Sequence, residues 1–438
     1  MNFARTALVF LAASGFAVPE TKVLKNFMLI DGAGGRPLAG AAMIIADGRI
    51  RWVGPASGLK PPPGAETVDL TGRFVMPGII NLHSHLGTVV DLVEDQGNFT
   101  RENIEKQLRT YASYGVTAVL SMGTDQDLIY QIRAEQRAGR PGMTRIFTAG
   151  RGFKGKGGYP NTPATKGIPF EVTTPQEAEK AVAQLGDKGV DVVKIWVDDH
   201  LGRQPKIPMD LCRSIISSAN KHGLKVAAHV FYLEDARQLV EAGLHGLAHS
   251  IRDAEVDSAL IAAMKKRGAW QSAATLSREL STFVYAKPQP FLDEPFFTRS
   301  VSPQVVAALK SSYREKIAAD PDLPKYPGFL DTAKRNLKKL ADAGVRFGFG
   351  TDTGPPGRFS GYFEHREMEL MAEAGLTPIE VITAATGSSA EFLGVAKHLG
   401  TLEAGKWADL IVLRGDPLEN IANTRSIEAV WIAGNRVN

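Results

Sequence analysis

Cysteine is all but missing: Cys212 stands alone among 438 residues. One thiol excludes an internal disulfide and any zinc site built from clustered cysteines; a buried, inert side chain is the reading it leaves. An excess of one charge is lacking too. Lys and Arg, 51 in all, are interleaved with 47 Asp and Glu for a net charge of +4, so there is no basic stripe of the kind that follows nucleic acid. Long hydrophobic runs are also absent. The apolar stretch after Arg5, at about 11 residues, is too short to span a bilayer. With 44% hydrophobic and 22% charged residues, the composition is neither that of a disordered chain nor that of a polytopic membrane protein. What remains is a soluble protein with a small-molecule substrate, no nucleic-acid partner and no membrane span in the mature chain, with a homo-oligomer left open.

What is present begins with a leader. Residues 1–17 carry Arg5, an apolar run over 6–13 and small residues at Gly15 and Ala17, the layout of a short secretory signal peptide, with an N-terminal strand as the alternative. Export to a periplasm or to the medium follows, and a chain without disulfides tolerates either. Short extended runs come next, among them Lys22-Val23-Leu24, 41–45 and 49–54, punctuated by Asp31-Gly32 and Asp47-Gly48, which mark turns. The C-terminus has the same character at 408–413 and 428–437. The two ends, 22–74 and 398–438, are expected to pair into one small β-sandwich domain.

Between them the period changes. Short β-branched runs alternate with amphipathic helical text at 102–114, 175–188, 208–222 and 233–242, the pattern of repeated βα units around a parallel sheet. Eight strands are expected, at 79–83, 116–122, 145–148, 191–197, 225–230, 246–249, 269–274 and 346–351. They close a (β/α)8 TIM-like barrel over 75–397, an α/β fold. An insert at 277–328, carrying Phe283, Tyr285, Phe291, Phe296, Phe297 and Tyr313, follows the seventh strand on the face where barrel active sites form. It can serve as an apolar lid or as ordinary surface elaboration.

In a barrel the C-terminal strand ends converge on one pocket, and titratable residues occupy those ends. His83 and His85 close the first strand two residues apart, so both imidazoles point to one side. Nine histidines in this length give about 0.2 such pairs by chance, and position strengthens the pair. Lys194 lies in the apolar run 192–197. Burial there favours a neutral, nucleophilic amine that can add carbon dioxide to give a carbamate able to bridge two cations; pairing with a buried carboxylate, or a snorkelling head, is the alternative. His229 and His249 close the fifth and sixth strands and Asp352 follows the eighth, where it can bind metal and take a proton or merely cap the next helix. His200, His222, His245, His365 and His398 fall off the strand tips and are left out of the site.

The ordered set of His-x-His, Lys, His, His and Asp resembles the binuclear metal-dependent amidohydrolase superfamily. The entry Phe74-Val75-Met76-Pro77-Gly78 and the return over 400–413 agree with it. The text over 227–229, 243–250 and 364–371 is similar to the imidazolonepropionase-like and prolidase-like branch. The resemblance implies two divalent cations, zinc expected, with His83, His85 and Asp352 on one, His229 and His249 on the other, and N6-carboxylated Lys194 bridging them. A metal-bridging hydroxide would attack an amide carbonyl, of a peptide or an N-acyl amino acid, with Asp352 moving the proton to the leaving amine. Peptide-cleaving members tend to carry Gly-Gly-His where this chain has Gly157-Gly158-Tyr159, and His or Tyr where Phe231 stands. Tyr159 and Tyr232 are the hydroxyls left to bind substrate. Rival readings are a mononuclear deaminase or cyclic-imide hydrolase with a structural Lys194, an esterase, lactonase or phosphotriesterase, and a barrel that has lost its chemistry.

Overall fold

The computed structural model describes residues 21–438; the leader read over 1–17 lies outside the described residues. Strands from both ends of the chain join one eight-stranded sheet. Leu410–Leu413 pairs antiparallel with Phe74–Pro77 on one side and with Ile427–Ile432 on the other. Phe74–Pro77 passes the sheet on to Lys22–Leu29, which pairs with Leu38–Ala46. Alternate side chains, among them Leu24, Met43, Ile45, Val75, Leu410 and Val412, form one buried cluster, as a period of two requires when one face of a sheet packs.

The barrel strands are short, parallel and fully buried. Ile79–Ser84, Val116–Ser121 and Arg145–Thr148 form one ladder, and Phe153–Lys154, Val193–Val197, Val226–Val230, Gly246–Leu247 and Trp270–Gln271 belong to a second. Helices cover the outside. Pro175–Asp187 shows why: Pro175 sits in its first turn, the Thr174 hydroxyl accepts the Glu177 N–H, and Ala178, Ala181, Val182 and Leu185 present one apolar stripe to the strands behind it. Among the described residues no helix is long and apolar enough to cross a membrane.

Two departures from the expected strands matter. The third unit has a second short strand, Phe153–Lys154, which pairs with Val193–Val197 and so aims the loop carrying Tyr159 across the barrel mouth. The run 346–351 forms isolated contacts instead of a ladder: Phe347 bridges to Gln271, Thr353 to Ser84, and Leu82 N–H donates to Phe349 O at 2.8 Å. Glycine explains the tight, broken pairing. A Cβ at Gly350 would lie 2.6 Å from the Ala273 Cβ and 2.9 Å from the His83 backbone nitrogen, so only a residue without one lets the chain pass this close.

The aromatic insert is helical, with Leu276–Ser281, Pro303–Leu309 and Ser312–Ala318 as its main turns. Its Tyr285, Phe297 and Leu309 pack with Tyr114, Tyr362 and Phe363 in a separate apolar cluster. Tyr285 donates its hydroxyl to Gly357 O at 2.7 Å and Tyr313 to Pro356 O at 3.0 Å. The insert thus braces the segment that follows Asp352.

Candidate metal centre

Four imidazoles stand in a row at the barrel mouth: ring centroids lie 5.5 Å apart for His85 and His83, 4.6 Å for His83 and His249, and 4.1 Å for His249 and His229. Each ring is held from behind by one nitrogen. His83 Nδ1 donates to Ala248 O at 2.9 Å. His85 Nδ1 meets Thr124 Oγ1 at 3.1 Å, and His249 Nδ1 meets Thr275 Oγ1 at 2.8 Å. His229 uses Nε2 instead, 2.7 Å from Asp198 Oδ2, which fixes that proton and leaves the Nδ1 lone pair over.

The remaining nitrogens face one another. His85 Nε2 is 3.0 Å and His83 Nε2 3.6 Å from Asp352 Oδ1; ligand atoms of these three residues lie within 4.8 Å of one another. His249 Nε2 is buried with no hydrogen-bond partner. An orphaned buried nitrogen is costly unless something unrecorded by protein atoms satisfies it, and a divalent cation fits that role, since neutral imidazole and carboxylate are the donors such ions take. Burial, and for His83 the neighbouring Lys194, holds the His83 imidazole well below the usual histidine range. His249 is held well below it by burial and by His229. Burial also lowers His229 to about 4, against the opposing pull of Asp198. All three are therefore neutral near pH 7.

Lys194 is wholly buried, its Nζ 3.2 Å from His83 Nε2. Burial lowers it to about 7 with Asp352 pulling the other way, so a neutral amine is accessible at ordinary pH. Asp352 is also buried; burial pushes its carboxyl up, but Arg358, His83 and His85 outweigh this and hold it well below the usual range. Its backbone adopts φ +58° and Thr275 adopts φ +53°. The left-handed region is rare for a threonine, and both residues touch the imidazole row, where such strain tends to gather.

Beneath the row, Glu364 ties the first strand to the run 346–351. Its Oε1 accepts from Asn81 Nδ2 at 2.7 Å, Thr351 Oγ1 at 2.9 Å and Thr353 Oγ1 at 2.7 Å. Asn81 Oδ1 in turn accepts the His83 N–H at 2.9 Å. Both strand ends that carry the His pair and Asp352 are thereby held in register.

The site residues expected from the sequence divide. His83, His85, Lys194, His229, His249 and Asp352 come together. Tyr159 joins them, its ring centroid 5.3 Å from that of His229, with burial raising its phenol so that it stays a donor. Tyr232 turns elsewhere: its hydroxyl donates to Asp199 Oδ1 at 2.8 Å and the Lys206 ammonium lies 4.3 Å over its ring, because Tyr232 directly precedes the helix Leu233–Glu241. His365 stays out of the row, both nitrogens engaged at 2.9 Å by Thr424 and Tyr114. His200, also left out, stacks on Tyr159 at 5.8 Å and marks the pocket rim. Sequence reasoning missed Asp198, Arg278 and Arg358. Asp198 gave a usable signal, a carboxylate directly after an apolar strand; the arginines come from a helix and a loop with no periodic cue.

A parallel barrel with neutral imidazoles, a carboxylate and a lysine gathered at its mouth defines a class: barrel hydrolases that work with divalent cations. The amidohydrolase family model matches residues 74–437, and the chain belongs to that family, as a hydrolase acting on carbon–nitrogen bonds. The imidazolonepropionase of Deinococcus radiodurans is 25% identical over 403 residues, covering 90% of this chain and 91% of the relative. A prolidase candidate from Bifidobacterium longum is 26% identical with a TM-score of 0.77, over 95% of this chain and 94% of that one. A Xaa-Pro dipeptidase with bound methionine shares the fold at 22% identity and a TM-score of 0.75, covering 95% and 99%. These likenesses fall on the imidazolonepropionase-like and prolidase-like branch.

Proposed function

We propose that the chain cleaves amide bonds in N-acyl amino acids or peptides at a centre of two divalent cations, with zinc as the metal. The observation that carries this reading is the row of imidazoles, each with one ring nitrogen engaged from behind, gathered with Asp352 around a buried amine, the His249 Nε2 among them without a partner. His83, His85 and Asp352 would hold one cation, and His229 and His249 the other. The Lys194 amine, partly neutral near pH 7, would add to carbon dioxide: an N–C bond forms as one C=O π bond opens to an oxyanion, the amine proton passes to water, and the resulting carbamate would help hold the cations. When bound, such a pair lowers the pKa of a shared water and polarises the scissile carbonyl.

The protein does the rest. Asp352 is the carboxylate placed to take the proton of the attacking water and hand it to the leaving amine, one oxygen turned to His85 and the other to Arg358. The Tyr159 hydroxyl is placed to donate to a substrate carbonyl or carboxylate. The prolidase names among the relatives favour a peptide; Tyr159 in place of His, and Phe231 in place of a polar residue, favour an N-acyl amino acid. The leader-like residues 1–17 support action in a periplasm or the medium.

A second reading has one cation and a structural Lys194. It draws on the convergence of His83, His85 and Asp352 alone within 4.8 Å among the described residues. Its chemistry is deamination or cyclic-imide opening. The test is a screen of zinc-, manganese- and cobalt-loaded protein against N-acyl amino acids, dipeptides, cyclic imides, lactones and phosphotriesters. Release of an amino acid from the first two groups is expected. Turnover confined to imides, or to oxygen and phosphorus esters, contradicts the proposal.

A further inference from the structure

Above the imidazole row three guanidiniums meet three carboxylates, Glu279, Asp352 and Asp198, two of which also face imidazoles. Arg252 is buried and donates to Val230 O at 2.8 Å and Ser250 O at 3.0 Å, with its Nε 3.0 Å from Glu279 Oε1. Arg278 donates from Nη1 to the same Glu279 oxygen at 2.8 Å, the one hydrogen bond of its side chain among the described residues. Arg358 donates from Nη1 to the backbone oxygen of Asp352 at 3.1 Å and to its Oδ2. Glu279 therefore serves two cations, and Asp352 is shared between Arg358 and the imidazoles. Asp198 makes no hydrogen bond to these arginines: its Oδ2 is on His229 at 2.7 Å and its Oδ1 accepts the His200 N–H at 2.8 Å.

Arg278 and Arg358 each keep 17% of the side chain exposed, so their guanidiniums border open space and not the core. Position completes the case. Asp352 Oδ1 faces the histidine pair, whereas Oδ2 faces Arg358 and lies 3.8 Å from Arg278 Nε. The two guanidiniums thus stand one carboxylate width from the imidazoles, on the side of the last two strand ends. Planar guanidinium forks suit a carboxylate.

We infer that Arg278 and Arg358 form the receptor for the substrate's α-carboxylate, placed on the leaving-group side of the scissile amide. This rests on the amide-hydrolase reading above, and gives it a polarity: the free amino acid end lies toward Arg278 and Arg358, and the acyl group lies away from them, toward His229. A substrate with the same acyl group but a neutral carboxamide end should be handled poorly.

The test pairs each N-acetyl-L-amino acid with its primary amide. Binding to the metal-loaded chain is measured by calorimetry, and hydrolysis is followed in the same mixtures. The wild type is expected to bind the best acid roughly 30-fold more tightly than its amide. Arg278→Met and Arg358→Met should each reduce that ratio to a few-fold, and Arg278→Lys should restore part of it. Metal content and unfolding midpoint establish that the variants are folded. Equal wild-type affinity for acid and amide overturns the receptor and needs no variant; so does an unchanged ratio in both Met variants. Hydrolysis without a charge preference removes the receptor and leaves amide hydrolysis standing. A charge preference lost in the variants, with no amide cleaved, keeps the receptor and removes the function proposed above.

Discussion

On the floor of the pocket each imidazole has one nitrogen engaged from behind, while the second faces Lys194 for His83, Asp352 for His85 and no partner for His249. On the rim, Arg252 and Arg278 share Glu279, Arg358 holds Asp352, and Arg278 and Arg358 reach the edge of solvent. The floor lies in a dry layer of short parallel strands, where a lone pair without a partner is costly and where an ion would be held firmly. The rim is made of a helix and loops. There a guanidinium at the edge of solvent can meet an anion. The same pocket therefore separates two tasks: the floor is fit to hold cations, and the rim to orient a substrate toward them.

The largest expected effect is on the floor. Asp352→Asn should lower kcat by roughly 10²–10⁴-fold, as loss of a proton-transfer group does, in steady-state assays of fully metal-loaded protein; a loss under tenfold would remove Asp352 from proton transfer. One shell out, Asp198→Asn should weaken cation affinity by about 10–100-fold, read by competition with a chelator. Unchanged affinity would mean that the His229 tautomer does not depend on Asp198. At the rim, Tyr159→Phe should raise KM by up to about tenfold, the worth of one hydroxyl hydrogen bond, and change kcat less; a kcat effect alone would move Tyr159 from binding to chemistry.

The smallest effect on catalysis is expected at His365, which sharpens the contrast because both of its nitrogens are engaged. Burial lowers it to about 3, below its ordinary 6.5. A buried base lowered in this way binds fewer protons folded than unfolded, so its share of stability is complete above pH 6.5 and is lost as pH falls toward 3. His365→Gln should flatten that acid limb in urea titrations and leave cation content alone. A steep limb in the variant would place the acid sensitivity elsewhere.

The floor was legible in the sequence for the reason that makes it dry. A lysine inside Val193–Val197 or a histidine near the end of Val226–Val230 interrupts an apolar run, and the interruption is visible in one dimension. The barrel strands were readable for the same reason. The run 346–351 was overread as a ladder because periodicity does not register how Gly348 and Gly350 let neighbouring backbones close in. The rim was not legible. Arg278 lies in charged text typical of any helix surface; Glu279 is its neighbour in the chain, and Asp352 meets it only through the fold. Tyr232 was misplaced by proximity along the chain: it follows the strand end, but the start of the next helix turns its hydroxyl to Asp199.

The central claim is that Lys194 joins two cation positions. Elemental analysis of the purified, metal-loaded protein, wild type beside Lys194→Ala, tests it most directly. The account predicts about two equivalents per chain in the wild type, falling to about one or fewer in the variant, as loss of a shared ligand requires. About one equivalent in both proteins would contradict it and leave Lys194 as a buried structural amine beside a mononuclear site.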